Sequence, residues 1–135
     1  MKYLKMKNYV ALIISILTLT SCFKRNYESE LIKSPTGNFE IKTTVNRTDK
    51  NADNYADVII HIFDIKSNMV TLLNTGVGDF SKWSVGWTKI GDTIVLQSSD
   101  IGNKAWIISN NKPIEIKMTD NLNNRAEFLK SQKYD

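Results

Sequence analysis

The chain of 135 residues has one cysteine, one histidine and two prolines. With a single cysteine it forms no internal disulfide, although an exported chain has the chance to do so. A lone histidine, His61, has neither a second histidine nor a free cysteine nearby in sequence to share a metal, and zinc sites draw on clusters of such ligands. No nucleophile elbow of the G-x-S-x-G kind is present. Long apolar runs are also missing. The longest, from Tyr9 to Leu19, spans about 11 residues, against the roughly 20 that a membrane-crossing helix needs. A permanent transmembrane anchor is therefore the weaker reading of the N-terminus.

What is there instead is a short leader. Lys2, Lys5 and Lys7 precede the apolar run, no acid occurs before Glu28, and small polar residues follow the run. That order is the layout of a secretory signal peptide over residues 1–21. Leu19-Thr20-Ser21-Cys22 then resembles the lipobox of bacterial lipoproteins, an aliphatic residue and two small residues before a cysteine. The resemblance implies cleavage before Cys22, a diacylglyceryl group on its thiol and a further acyl chain, such as palmitate, on its new amine. One acyl chain binds membranes only marginally, whereas two or three give a stable anchor. The expected location is the bacterial cell envelope, on the inner or outer membrane, with the domain facing periplasm or exterior. An acidic patch directly after the cysteine directs some lipoproteins to the cell surface. Here Lys24 and Arg25 come first and Glu28 and Glu30 follow, so that signal is not evident.

Without the leader the chain has 114 residues, enough for one domain. Its basic residues fall from 18 to 15 against 14 acidic ones, and its net charge from +4 to +1. The basic character belongs largely to the leader, and the basic stripe that nucleic acid requires is missing. Residues 22–36 lack steady periodicity and are rich in charge. They are expected to form a lipidated tether, with a reach of a few tens of ångströms at about 3.3 Å per extended residue.

From residue 37 to 118 alternation with period 2 predicts strands. Phe39, Ile41, Thr43 and Val45 share one face. Val58, Ile60 and Ile62 alternate with Ile59, His61 and Phe63, so both faces of this strand are largely apolar and it should be central in a sheet. Shorter strands are expected over 69–73, 81–88, 93–98 and 104–109. Asn110-Asn111 is expected as a hairpin link to a last strand carrying Ile114, Ile116 and Met118. The Gly-rich stretch 74–79 reads as a loop. Residues 119–135 are expected to hold a short helix and tail, with Asp120 as its cap and Leu122, Arg125, Ala126 and Leu129 on one stripe. The fold class is all-β: a small antiparallel meander or sandwich with a C-terminal helix.

Two segments are similar to blade openings of TolB-type β-propellers: Ser34-Pro35-Thr36-Gly37-Asn38-Phe39-Glu40-Ile41, and Trp87 to Val95. Asp64 to Ser67 and Ser98 to Asp100 match the turns within such blades. Propellers close with about 4–8 blades, and this chain has room for two. The resemblance therefore implies blade-like hairpins within a compact meander.

Candidate sites are few. Asp49, Asn51 and Asp53 reproduce the 1, 3, 5 ligand spacing of calcium loops. Position 6 is Asn54 instead of glycine and position 12 is Ile60 instead of glutamate, so an EF-hand is excluded, and the run reads first as a solvated turn. Trp83 and Trp87 share parity with Val85. Together with Trp106 they are expected to build the core; the alternative is an aromatic binding face rimmed by the loop ending at Asp79. His61 reads as a strand histidine, and no cofactor motif is present. The pattern points to a non-enzymatic binding module held at a membrane through Cys22, with an envelope protein or a glycan as partner. An immunity-type or inhibitor lipoprotein is the alternative. A hydrolase using carboxylates of the 46–57 and 74–79 loops is a further one.

Overall fold

A computed structural model describes residues 24–135. The expected signal peptide and the expected lipid-attachment residue Cys22 lie outside the described residues. Among the described residues nine strands and one helix follow in order: β1 (Tyr27–Glu28), β2 (Ile32–Lys33), β3 (Phe39–Val45), β4 (Asp57–Asp64), β5 (Met69–Gly78), β6 (Trp83–Trp87), β7 (Thr93–Ser98), β8 (Lys104–Ser109), β9 (Lys112–Ile116) and α1 (Asp120–Tyr134). The fold is all-β with two antiparallel sheets and a C-terminal helix, as the alternation predicts.

The first sheet runs β1-β3-β4-β5, with β2 on the same edge of β3 as β1. Here the tether expectation needs correcting. Tyr27 and Glu28 pair with Val45 and Thr44, and Ile32 and Lys33 pair with Ile41 and Glu40. Residues 27–33 are thus part of the sheet edge, and the free tether ends earlier than residue 36. Two-residue strands carry too little periodicity to be read from sequence; β3 supplies their register.

β4 is central, between β3 and β5. The stretch 74–79, read above as a loop, is mostly strand. β5 continues to Gly78 through a bulge, pairing Asn74 with Ile59 and Gly78 with Asp57. Gly76 sits there at φ +76°, and the buried Thr75 hydroxyl donates to Val58 O at 2.7 Å while accepting from Val77 N. The glycine serves a bulge here, where an αL residue lets the strand bend and resume pairing.

The second sheet is the meander β6-β7-β8-β9. Asn110 and Asn111 link β8 to β9 with φ values of 50° and 59°. Positive φ at both positions is the type I′ geometry that asparagine tolerates. Pro113 lies in β9, an edge strand where its missing N–H is harmless.

The sheets pack face to face. Ile41, Val45, Val58, Ile60, Ile62 and Val77 from the first meet Trp83, Trp87, Ile94, Leu96 and Trp106 from the second. On the other side of the second sheet, Val95 and Ala105 pack against Ala126 of α1, flanked by Leu122 and Leu129. The N-cap of α1 is Thr119, whose hydroxyl accepts from Leu122 N at 3.3 Å, not Asp120 as expected above. The chain therefore forms three layers: first sheet, second sheet, helix. The outer face of the first sheet carries no layer among the described residues. No described helix is long and apolar enough to cross a membrane.

Candidate functional site

The three tryptophans all lie in the core, each 3–4% exposed. As an exposed aromatic binding face they are thereby removed, and the core reading of their spacing holds. Their polar N–H groups still need partners once buried. Trp87 Nε1 donates to Ile32 O at 2.9 Å, which ties β2 to the second sheet, and Trp83 Nε1 donates to Asp79 Oδ1 at 3.0 Å.

Asp79 is the centre of a polar cluster. It follows β5, on the turn into β6. Arg47, just past β3, donates to it from both Nε (2.6 Å) and Nη2 (3.1 Å), a forked pairing that fixes geometry as well as charge. Burial alone would raise the Asp79 carboxyl. Hydrogen bonds from Arg47 and Trp83, with the positive charges of Arg47 and Lys133, outweigh that and hold its pKa below the ordinary carboxylate value.

Lys133, in the last turn of α1, completes the cluster. The residue is exposed as a whole, but its ammonium lies 3.1 Å from the Trp83 ring centroid and donates to Trp83 O at 2.8 Å. The Tyr27 and Tyr134 rings stand 5.5 and 5.3 Å from it. Burial lowers its pKa to about 8, against the partial compensation of Asp79. An ammonium over aromatic faces gains cation–π attraction, which offsets part of the lost hydration.

These contacts also protect a sheet edge. β6 has β7 on one side only, so its other side presents unpaired backbone groups. At one end, Trp83 N donates to the Tyr134 hydroxyl and Trp83 O accepts from Tyr134 and Lys133. At the other end, Arg125 Nε donates to Trp87 O at 2.7 Å. The helix thus covers one face of the second sheet and caps its exposed edge.

The loop 46–57 and the bulged end of β5 over 74–79 do meet. Asp79 N donates to Ala56 O, and Asn74 Nδ2 donates to Asp57 Oδ2 at 3.1 Å. The Asp79 carboxylate at this junction is committed to Arg47 and Trp83. The calcium candidates are used differently: Asp49 Oδ1 accepts from Asn51 N at 3.0 Å, and Asn46 Oδ1 accepts from Thr48 N and Asp49 N. These are side chains satisfying a turn of their own backbone. Among the described residues no three His, Cys, Asp or Glu side chains gather closely enough to hold a metal ion.

The second candidate surface is the bare outer face of the first sheet. Register places Lys42 opposite His61, Thr44 opposite Ile59 and Leu72 opposite His61 on this face, with Phe63 opposite Glu40 and Met69. His61 Nε2 and Thr44 Oγ1 share a 2.7 Å hydrogen bond, and Lys42 pairs with Glu28 at 2.8 Å. Burial, and then the charge of Lys42, lower the His61 pKa below the ordinary imidazole value, against the smaller opposing effect of Glu28. Leu72 and Met69 are 51% and 57% exposed. The sequence pattern identified the two-sided apolar character of β4 but gave no means of telling that the helix covers the other sheet. Comparison with family models, with curated proteins and with solved structures returns no match to this chain.

Proposed function

We propose that the chain is a lipid-anchored, non-enzymatic binding module of the bacterial cell envelope. Cys22 holds it to the membrane, and the bare outer face of its first sheet takes a partner. The leader and the lipobox-like Leu19-Thr20-Ser21-Cys22 support the anchor. The observation that carries the binding role is the unequal covering of the two sheets. The helix buries Val95 and Ala105 on the outer side of the second sheet and leaves only Ile107 and Ile114 part exposed at its far strands, whereas Leu72 and Met69 stand exposed on the outer side of the first, beside Phe63 and His61, with no layer over them among the described residues. Exposed apolar groups rimmed by polar ones mark interaction sites. Here the rim is Glu28, Lys42, Thr44 and Asn74.

The character of this face favours a protein over a glycan. Sugars are held by exposed aromatic rings, and the three tryptophans that would supply them are in the core. Leucine, methionine and phenylalanine suit a protein interface, where Met and aromatics are enriched.

The test is a pull-down from detergent-solubilised membranes with the lipidated protein, with the mass of the N-terminal peptide reporting acylation of Cys22. A partner retained by the wild type and by Ile90→Asp, but lost with Leu72→Asp, is the expected result. Ile90 is 86% exposed on the β6–β7 link and serves as the control site. Equal capture by all three proteins would remove the sheet face from the proposal.

A further inference from the structure

Two clefts adjoin at the start of the domain. One is lined by Tyr27, Arg47, Asp79, Lys82, Trp83 and Lys133 among others; the second by Lys24, Arg25, Arg47, Tyr55 and Asp79. Phe80 lines both, and at 87% exposure it is the most exposed large apolar side chain among the described residues. The charges along the two clefts are Lys24, Arg25, Arg47, Lys82 and Lys133 against the single acid Asp79. Arg47 is spent on that acid, and Lys133 is turned toward Trp83. Lys24 and Arg25 are exposed, as is Lys82, and no side chain pairs with any of the three within salt-bridge distance among the described residues.

An aromatic ring thus stands in solvent beside three cations that lack an acidic partner among the described residues; Lys82 has only the Tyr134 ring, at 5.3 Å. The position of the cleft in the chain accounts for this juxtaposition. Lys24 is two residues from Cys22, so its Cα lies within about 7 Å of the anchored one, at most about 3.6 Å per residue. We propose that this face docks on the membrane that carries the anchor: Lys24, Arg25 and Lys82 lie against anionic headgroups, and the Phe80 ring enters the boundary between headgroups and acyl chains. The inference rests on the lipid-anchoring reading of Cys22. A cation near an anionic leaflet shifts the equilibrium toward the surface about fivefold per residue, within a Debye length. An apolar ring beside the cations adds burial at the same boundary. The anchor keeps the domain at the surface, and the basic cleft fixes which side faces it.

The experiment uses the lipidated protein reconstituted into vesicles of phosphatidylcholine alone, or mixed with phosphatidylglycerol, with brominated acyl chains as quencher. Phe80→Trp adds an exposed indole to a protein whose own three tryptophans are buried, and the wild type supplies the background. The added emission should be quenched in the anionic vesicles and not in the neutral ones. Combined Lys24→Glu, Arg25→Glu and Lys82→Glu in the Phe80→Trp protein should lower the docked-to-undocked ratio by more than about a hundredfold, since each change removes an attraction and adds a repulsion, with an unchanged circular dichroism spectrum showing that the fold is intact. Absence of quenching in anionic vesicles, with Cys22 acylated by mass, overturns the docking and leaves the anchor standing; an acidic protein as the true occupant gives this same outcome. Quenching that persists in the charge-reversed protein also overturns it. An unmodified Cys22 overturns the anchoring reading instead, and the docking with it.

Discussion

The two sheets of this domain share one core and differ in what covers their backs. Behind the second sheet, α1 lays Ala126, Leu122 and Leu129 over Val95 and Ala105 and caps the free edge of β6 through Tyr134, Lys133 and Arg125. Behind the first there is no such layer among the described residues, although β4 carries Ile59, His61 and Phe63 on that side. An apolar sheet face is ordinarily covered by another element. The difference teaches that apolar character alone does not distinguish a face buried within the chain from one left bare. Burial decides it. Residues 94–98 of β7 are buried without a break, whereas on the outer side of the first sheet Leu72 and Met69 remain half exposed.

That contrast can be broken in graded ways. The largest effect is expected where both sheets meet. Leu96 is fully buried in the shared core, and Leu96→Ala should cost about 2–5 kcal/mol in urea unfolding. A smaller effect is expected at the helix layer. A Cβ on Gly86 would stand 2.6 Å from Leu129 Cδ2, so Gly86→Val pushes against α1 and should cost about 1–3 kcal/mol. If Gly86→Val is neutral by the same measurement, the helix is not packed firmly against the second sheet.

Two bases are also held toward the neutral form, His61 on the first sheet and Lys133 on the helix beside the second, and the signs follow from linkage. Lys133 titrates near 8 when folded and at 10.5 when free, so between those values the unfolded chain holds the extra proton and stability rises with pH. Below pH 8 the cost of the half-buried charge is present in full. His61 has a folded value below its ordinary 6.5, so stability falls as pH drops beneath 6.5. Subtracting the stability profile of Lys133→Met from that of the wild type should isolate the alkaline rise, and His61→Gln the acid fall. A flat difference in either window contradicts the corresponding burial. The smallest effect on stability is expected on the bare face: Leu72→Asp should change it by no more than about 0.5 kcal/mol, because half of that side chain already meets water. A large loss there would mean that this face is structural.

Much of the fold is legible in residue order. Alternation located β3 and β4, two-sided apolarity placed β4 inside its sheet, and Asn110-Asn111 marked a hairpin whose positive φ values those residues tolerate. Trp83 and Trp87 share parity with Val85 and turn to the core with it. Other features depend on distant partners. β1 and β2 are strands only because β3 offers them an edge. The glycines of 74–79 signal a break in regular geometry, and a bulge and a loop use the same residues. The polar cluster joins positions 47, 79, 83 and 133, and of these only Asp79 and Trp83 stood out as site candidates. Arg47 and Lys133 carry no local signal, since their roles arise from packing α1 against β6 and from the meeting of the segment after β3 with the turn after β5.

The covering of one sheet and not the other is most directly tested by site-specific photo-crosslinking in native membranes. A photoreactive side chain replacing Leu72 on the bare face is compared with one replacing Ile90 and one replacing Ile107, exposed sites on the second sheet and its β6–β7 link. A discrete adduct with one envelope protein from position 72, and none from 90 or 107, is the predicted result. No adduct at 72, or the same adduct from all three positions, would contradict it.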